Sequence, residues 1–438
     1  MNIQNVRGTK DIVGEDADLF NKLCNIATSL AVQYGFKVLN LPIIEQKDLF
    51  VHNLGEESDI VSKEIYSFKT KGGDDIALRP EFTAGVVRFF VQNGLYKKQM
   101  PQKFFSFGPL FRYDRPQKGR YRQFNQFNFE IFGAGDNYMY ESFTLFFINK
   151  FLEKVGIKIG DGWKLKLNFL GDEFIRLKYK DALIKSLLSN KNMLSDDSRR
   201  RIETNPLRIL DSKHPADVKI LANIPKISEF YTKEYQQHVD KVLQSITGEQ
   251  GDFLDKKQFC LPYELDPFLV RGMDYYDGLV FEICAVGNDV AQNSILGGGK
   301  YNRLVKNISN GAADVSAIGF AVGIERLMDI CKSTIKNNIK PTAIYLACFD
   351  KQMCKMLYWS DMLSNISNIV VEVALKDYSS CDQDVKNNLT NADLIEKKNN
   401  KAFNDSIKKG NYDFVMCFLI QLFTFLLPDI IFILSYTI

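Results

Sequence analysis

Histidine is nearly missing from this chain: there are three, His52, His214 and His238, and none lies in a motif. Nucleophilic catalysis built on a Ser-His or Cys-His pair is therefore a poor expectation. The eight cysteines, at positions 24, 260, 284, 331, 348, 354, 381 and 417, form no C-x-x-C pair and have no histidine at metal spacing. That pattern supports neither a zinc site nor a disulfide framework, and it fits reduced thiols in a cytosol. Glycine-based phosphate motifs are lacking too, since no GxxxxGK[ST] run occurs and no GxGxxG opens a helix after a strand. A nucleotide would have to be held by arginines on an antiparallel sheet. Net charge is small: 56 Lys+Arg against 53 Asp+Glu leave +3, which neither announces a nucleic-acid binder nor excludes one with a local basic face. The opening "MNIQNVRGTKDIVGEDADLF" has no apolar core ahead of its charges, so no export signal is expected.

What is present is ordinary globular material, 45% hydrophobic over 438 residues, enough for a substantial core in two or three domains. Apolar positions at helical spacing predict a helix over 16–34, and "FKVLNLPII" after it reads as a strand leading to Pro42. Next come a strand "KEIYSF", a Gly-Gly/Asp-Asp turn, a strand "IALRP" and a helix from about Thr83. Arg79 and Glu81 close that second strand, either as a surface ion pair or as part of a site.

The richest stretch is "FFSFGPLFRYDRPQKGRYRQFNQFNFEIFG" (104–133), which reads as a long antiparallel hairpin around Pro116 and Gly119. On its return arm, alternation places Arg122, Phe124, Gln126, Asn128 and Glu130 on one face and Tyr121, Gln123, Asn125, Phe127 and Phe129 on the other. Arg112, Arg115, Lys118, Arg120 and Arg122 crowd the tip, where rigid guanidinium forks suit phosphate oxygens. A second element, "LVRGMDYYDGLVFEIC" (269–284), rises to Arg271 and turns at Asp277-Gly278. It is followed by "GGGKY" (297–301) and by "AIGFAVGIERLMDI", whose periodicity makes a helix holding Arg326. Three arginines on separate motifs, each beside glycines that permit close approach, point to an anion site.

Together with "RGTKDI", "SDIVSKEIYSF" and "IALRPEFTAG", these motifs resemble the ordered signature of class II histidyl-tRNA synthetases from about residue 5 to residue 330. The resemblance implies an α+β catalytic core, a six- or seven-stranded antiparallel sheet flanked by helices, in an obligate homodimer. It divides the chain into a first part of the core (1–171), a helical insertion (172–258) that includes "NPLRILDSKHPADVKIL", a second part of the core (259–333), and a small α/β anticodon-binding domain (340–438). The dimer contact would involve the first long helix and the strand near Pro42.

It also implies the chemistry: ATP activates L-histidine to the adenylate with Mg²⁺ bridging the phosphates, and the histidyl group passes to the 3′ end of tRNA(His) in the cytoplasm. Arg112 and Arg271 would serve the α-phosphate and the carboxylate, with Arg120 and Arg326 at the γ end of a bent ATP. Glu130 and Tyr276, beside Tyr275, would read the two imidazole nitrogens, and Glu81, Thr83 and Gln126 would hold the α-amino group. No protein metal ligand is assigned. The loop "RPQKGR" is where contacts to the tRNA acceptor end are expected. The rival class is a catalytically silent relative serving as the regulatory subunit of ATP phosphoribosyltransferase, against which the intact Arg112, Arg271 and Arg326 speak.

Some positions depart from the family. Asn302 follows "GGGKY" where an aspartate is usual, and Asn125 stands where a histidine is common. "PTAIYLACFD" and "NIVVEVAL" read as strands of the anticodon-binding domain, but the likeness fades after about 385. The final run "FVMCFLIQLFTFLLPDIIFILSYTI" is about long enough to cross a bilayer, although Pro428 and Asp429 interrupt it. A changed reading frame or a degraded end is expected instead, with no stable membrane association. Resequencing the 3′ end of the coding region checks this, and an unambiguous intact frame would exclude it.

Overall fold

The computed structural model describes residues 3–54, 60–117, 119–133, 135, 137–247, 260–273, 275–286, 294–332, 342–348, 353–365, 369–373, 414–418 and 433–435. The chain divides into two compact units, residues 1–335 and 336–438.

The first unit is built on an eight-stranded sheet. Its strands are β1 (Lys37–Val38), β5 (Gln102–Phe111), β6 (Gln123–Phe132), β7 (Trp163–Phe169), β8 (Tyr263–Leu265), β9 (Leu279–Ala285), β10 (Ser294–Tyr301) and β11 (Ala317–Gly323), in the order β1-β5-β6-β11-β10-β9-β7-β8. The six central strands pair antiparallel, as expected, and the short edge strands β1 and β8 are added in parallel. A smaller antiparallel sheet, β2-β4-β3, joins β2 (Ile44–Gln46), β3 (Ser67–Lys69) and β4 (Asp75–Leu78). The β3–β4 hairpin turns at Gly73, whose φ is +96°, but β3 begins later than the sequence suggests because Ile60–Glu64 coil into a π-helical turn.

Two apolar layers cover the large sheet. On one face lies α1 (Glu15–Gln33), which buries Leu19, Leu23, Ala27 and Leu30 at helical spacing and carries Glu15, Asp16 and Asp18 against its N-terminal dipole. Beside it are α4 (Tyr138–Lys154), α8 (Lys233–Thr247) and α10 (Ile324–Cys331). Phe127, Phe129 and Ile131 of β6 point into this layer, and Phe129 stacks on Phe320 at 4.6 Å. The opposite face receives α2 (Asp48–Leu54), α3 (Thr83–Gln92) and α9 (Arg303–Ile308), with Phe90 stacked on Phe132 at 4.2 Å. Alternation along β6 thus holds over its inner half: Phe127, Phe129 and Ile131 are oily core, and Gln126, Asn128 and Glu130 share the other face with Phe132.

Helices α5 (Glu173–Ser189), α6 (Asp196–Thr204) and α7 (Pro215–Leu221) lie in the segment expected to be a helical insertion. Buried Asp217 ties them together, accepting from Ser195 N–H, Ser195 Oγ, Ser198 Oγ and Ser212 Oγ at 2.6–2.8 Å. Burial alone would raise this carboxyl, but those donors hold it at about 2. The last helix behaves differently. α8 buries Val239, Val242 and Ile246 in the first layer and meets α4 through His238 and Glu141, 2.5 Å apart.

In the second unit, β12 (Thr342–Cys348) pairs in parallel with both β13 (Ile369–Val373) and β14 (Phe414–Phe418), with α11 (Met353–Ser364) between β12 and β13 in sequence. β15 (Ile433–Ser435) adds to β14 in antiparallel fashion. The strands expected from "PTAIYLACFD" and "NIVVEVAL" are β12 and β13. Of the apolar final run, 414–418 and 433–435 are strands, whereas 419–432 and 436–438, like 374–413 before the run, lie outside the described residues. Among the described residues no helix is long and apolar enough to cross a membrane.

The large sheet closes only because β10 carries Gly298, where a Cβ would collide with the Gly319 carbonyl and would lie 2.6 Å from Phe320 Cβ. Gly298→Ala is expected to destabilise the chain by about 3 kcal/mol through this overpacking, seen as a lower urea midpoint at unchanged slope.

Candidate active site

A cleft of about 1160 Å³ opens over the sheet face that carries Gln126 and Asn128. At one end stand Arg112, Arg120, Arg271 and Arg326. Arg112 leaves β5 as the chain enters the hairpin tip, where its Nε donates to the Pro80 carbonyl at 2.9 Å and its guanidinium lies 5.3 Å from the Phe124 ring. Arg326, in the first turn of α10, donates from Nε to the Gly119 carbonyl at 2.9 Å and from Nη1 to the Ser294 carbonyl at 2.6 Å, joining the hairpin tip to β10. Burial lowers the Arg326 pKa, and the like charges of Arg120 and Arg112 lower it further. Burial also lowers that of Arg112, against the pull of Glu64 and Glu81. Cations that disfavour one another in a shared cleft would be stabilised by an anion between them.

Arg271 approaches from the loop before β9. Its Nη1 donates to Glu282 Oε1 at 3.1 Å, and a Cβ at Gly297 would overlap its guanidinium. At Gly299 a Cβ would lie 2.9 Å from the Tyr276 ring. The glycines of "GGGKY" are therefore strand residues whose missing side chains leave room for Arg271, for β11 and for Tyr276 in turn.

The polar pocket is built around Glu130, which is 1% exposed. Its Oε1 accepts from Thr83 Oγ1 at 2.6 Å and from Asn128 Nδ2 at 3.1 Å, while Oε2 accepts from the Tyr301 hydroxyl at 2.7 Å. Burial raises its pKa to about 7, although these donors pull it down. Glu81, also buried, accepts the Thr83 and Ala84 N–H groups at 2.6 and 2.8 Å and so caps α3. Tyr275 and Tyr276 pack 4.6 Å apart beside Tyr301. None of the three histidines lines the cleft.

Of the ten residues expected from sequence, Glu81, Thr83, Arg112, Arg120, Gln126, Arg271, Tyr276 and Arg326 line the cleft. Glu130 and Tyr275 do not; Glu130 lies behind Thr83 and Asn128, and Tyr275 behind Tyr276, with its hydroxyl on Met273 Sδ at 3.1 Å. Arg79 and Glu81 are both buried and serve backbone groups, so they are not the surface ion pair considered from sequence. Arg79 is 5% exposed and donates to the backbone carbonyls of Pro109, Leu41 and Pro42 at 2.7–3.2 Å. Lys118 lies outside the described residues.

Sequence reading missed Tyr301, Asn128 and Glu282, although the alternation that singled out Gln126 and Glu130 also holds Asn128. It also missed Arg208, Leu210, Asp211 and Lys213, which bring the helical segment to the cleft wall. Of the departures from the family, Asn125 gives its N–H and side-chain amide to Glu325, whereas Asn302 donates its backbone N–H to Asp277 at 3.0 Å and its buried Oδ1 accepts no hydrogen bond among the described residues. Among the described residues no group of three or more His, Cys, Asp and Glu side chains is placed to hold a metal ion.

Residues 66–334 match the family model of the tRNA synthetase class II core domain (G, H, P, S and T). A histidine–tRNA ligase of Neorickettsia sennetsu is 44% identical over 328 residues, 75% of either chain. The chain belongs to the histidine–tRNA ligase family. A histidine–tRNA ligase of Rickettsia typhi is 38% identical over 418 residues, covering 94% of this chain and 96% of its own. The crystal structure of apo histidyl-tRNA synthetase from S. aureus superposes with a TM-score of 0.70 at 26% identity, covering 95% of this chain and 91% of the other. As a histidine–tRNA ligase family member, the chain is an aminoacyl-tRNA ligase, and the enzyme reading prevails over the silent regulatory subunit.

The pocket carries a pH signature. A buried acid whose pKa rises on folding stabilises the fold below its unfolded pKa, and this contribution is lost as pH climbs through the folded value. For Glu130 that window runs from about 4.5 to about 7. Glu130→Gln is therefore expected to flatten the loss of melting temperature of the ligand-free chain between pH 5 and 8, followed by calorimetry.

Proposed function

We propose that the residues of this cleft divide the two-step reaction, histidine activation by ATP and transfer to tRNA(His), as their chemistry dictates. The observation that carries the reading is a cleft lined by the electrostatically coupled Arg112, Arg120 and Arg326, with the buried carboxylate of Glu130 standing directly behind Thr83 and Asn128 of its wall. Histidine is the amino acid that needs an acceptor for one ring nitrogen and a hydroxyl for the other. Ionised Glu130 accepts the imidazole N–H, and the Tyr276 hydroxyl, with Tyr275 packed behind it, serves the second nitrogen. Glu81, Thr83 and Gln126 hold the α-amino group. A competitor lacking these polar groups leaves a buried carboxylate and hydroxyls unpaired, which is how such a pocket rejects it.

Activation is a matter of alignment and charge. The histidine carboxylate attacks the α-phosphorus and pyrophosphate leaves, so the developing negative charge must be met by preplaced cations. Arg112 and Arg271 meet it at the α-phosphate and the carboxylate. Arg120 and Arg326 hold the γ end. Glu282 and Glu325, hard-oxygen donors lining the same cleft, would hold Mg²⁺, which neutralises phosphate charge when bound. Transfer to the terminal ribose hydroxyl uses no protein nucleophile, in keeping with three histidines that sit elsewhere. Exposed Arg115, in the loop of the hairpin, meets the acceptor end, and the second unit is the anticodon-binding domain. Exposed Val38, Ile43 and Ile44, in and around the short strands beyond α1, form the apolar part of a two-fold contact in a homodimer. The cytoplasm is the compartment of this activity.

The experiment is histidine-dependent exchange of labelled pyrophosphate into ATP, followed by tRNA charging in the same preparation. Arg271→Lys is expected to lower kcat/KM for exchange by about 10²–10³-fold, the usual cost of losing a preorganised charge donor. Exchange without charging would locate a defect in the second unit. Histidine binding without exchange would return the reading to the silent regulatory class.

A further inference from the structure

The Tyr276–Asp277–Gly278 turn carries the tyrosine that lines the cleft, and the entrance to the helical segment grips this turn from outside. The Gly278 N–H donates to the Gly171 carbonyl at 3.2 Å, and the Leu170 N–H donates to the Gly278 carbonyl at 2.7 Å. One turn further, Arg176 of α5 donates from Nη1 to the Tyr276 carbonyl at 3.2 Å and stands 3.9 Å from Asp277 Oδ2. Glu173, in the same turn of α5, lies 3.3 Å from Arg303 of α9.

From the sheet side, the Asp277 N–H donates to the Lys300 carbonyl at 2.8 Å, and Asp277 Oδ1 accepts the Asn302 N–H at 3.0 Å. Asp277 is 4% exposed. Burial pushes its carboxyl up to about 6, with Arg176, Lys300 and Arg303 as the cations that oppose this. A buried carboxylate with a half-buried guanidinium facing it is a connection of fixed geometry, because separating them leaves a charge without a partner. Of the arginines assigned to the nucleotide, Arg112 is held by Pro80, Arg326 by Gly119 and Ser294, and Arg120 by Glu64 and Asp114, all from other elements, while Arg271 is held by Glu282 of β9.

We propose that Arg176 is a positioning residue for histidine recognition: from the first turn of α5 its guanidinium fixes the Tyr276 carbonyl and the Asp277 carboxylate, and thereby the Tyr276 ring in the cleft wall. The inference rests on Tyr276 belonging to the imidazole pocket. Its consequence is selective. A shift of α5 reaches the amino-acid contact and leaves the anchors of Arg112 and Arg326 in place.

The test uses the full chain in histidine-dependent pyrophosphate exchange, comparing Arg176→Met, Arg176→Lys and Tyr276→Phe. Arg176→Met is expected to raise KM for histidine about 10-fold while KM for ATP stays within about twofold. Arg176→Lys, which keeps one cationic donor, recovers part of the loss, and it carries the test alone if the methionine variant does not fold, with a rise of about threefold. Histidine KM unchanged in every folded Arg176 variant, or histidine and ATP KM rising together, overturns the positioning role. Tyr276→Phe separates the two levels of the reading: a raised histidine KM supports the pocket, and an unchanged one removes Tyr276 from it and the inference with it. Absence of exchange by the unsubstituted chain would overturn the enzymatic reading itself.

Discussion

A carboxylate taken out of water must find donors, and in this protein the burial of Glu130 decides how the surrounding elements meet. Thr83 from the start of α3, Asn128 from β6 and Tyr301 from the end of β10 all converge on it. Its space is made by Gly319 of β11, where a Cβ would overlap the carboxylate. Loss of any one of these leaves a buried acid unsatisfied, at a cost well above the net worth of an ordinary hydrogen bond. The same group that makes the sheet expensive to assemble is the one proposed to read an imidazole.

The arginine end of the cleft follows a complementary logic. Arg112 and Arg326 are partly anchored to backbone carbonyls, which fix their direction without cancelling their charge. Arg120 is neutralised more fully, by Glu64 and Asp114, and is the most solvent-accessible of the three. Mutual repulsion in a half-buried cleft is unfavourable and would be relieved by the polyphosphate proposed to bind there. Preorganisation of this kind costs folding free energy and lowers the reorganisation needed when charge develops on the α-phosphate.

Helix and strand periodicity made much of the fold legible. α1, α3 and the β5–β6 hairpin lie where spacing and turn residues put them, because each buries one face against a single continuous layer. The two-residue β1 and three-residue β8 were not legible, since strands so short carry no alternation and exist only as parallel edges of a sheet already formed. The strand read at "KEIYSF" starts too early because Lys63 and Glu64 close the π-helical turn Ile60–Glu64, and so short a polar–apolar mixture separates strand from helical turn poorly. In the site, Gln126 and Glu130 could be found by alternation, and the arginines by their company of glycines. Tyr301 could not: it follows "GGGK" at the end of a strand and reads as a core aromatic until the sheet sets it against Glu130, 171 residues away in the chain.

The sequence by itself determined the family, the reaction class and the identity of nearly every polar side chain proposed for the cleft, because those depend on residue types whose chemistry is local. Which of them touch was decided by tertiary structure. Glu130 and Tyr275 stand behind the cleft rather than on its wall, Arg79 is a buried clamp on three carbonyls, and Arg176 reaches the Tyr276 turn from 100 residues upstream. Contacts of that separation depend on strand order and helix placement, quantities that no local pattern encodes and that only the packing of the two apolar layers against one sheet sets.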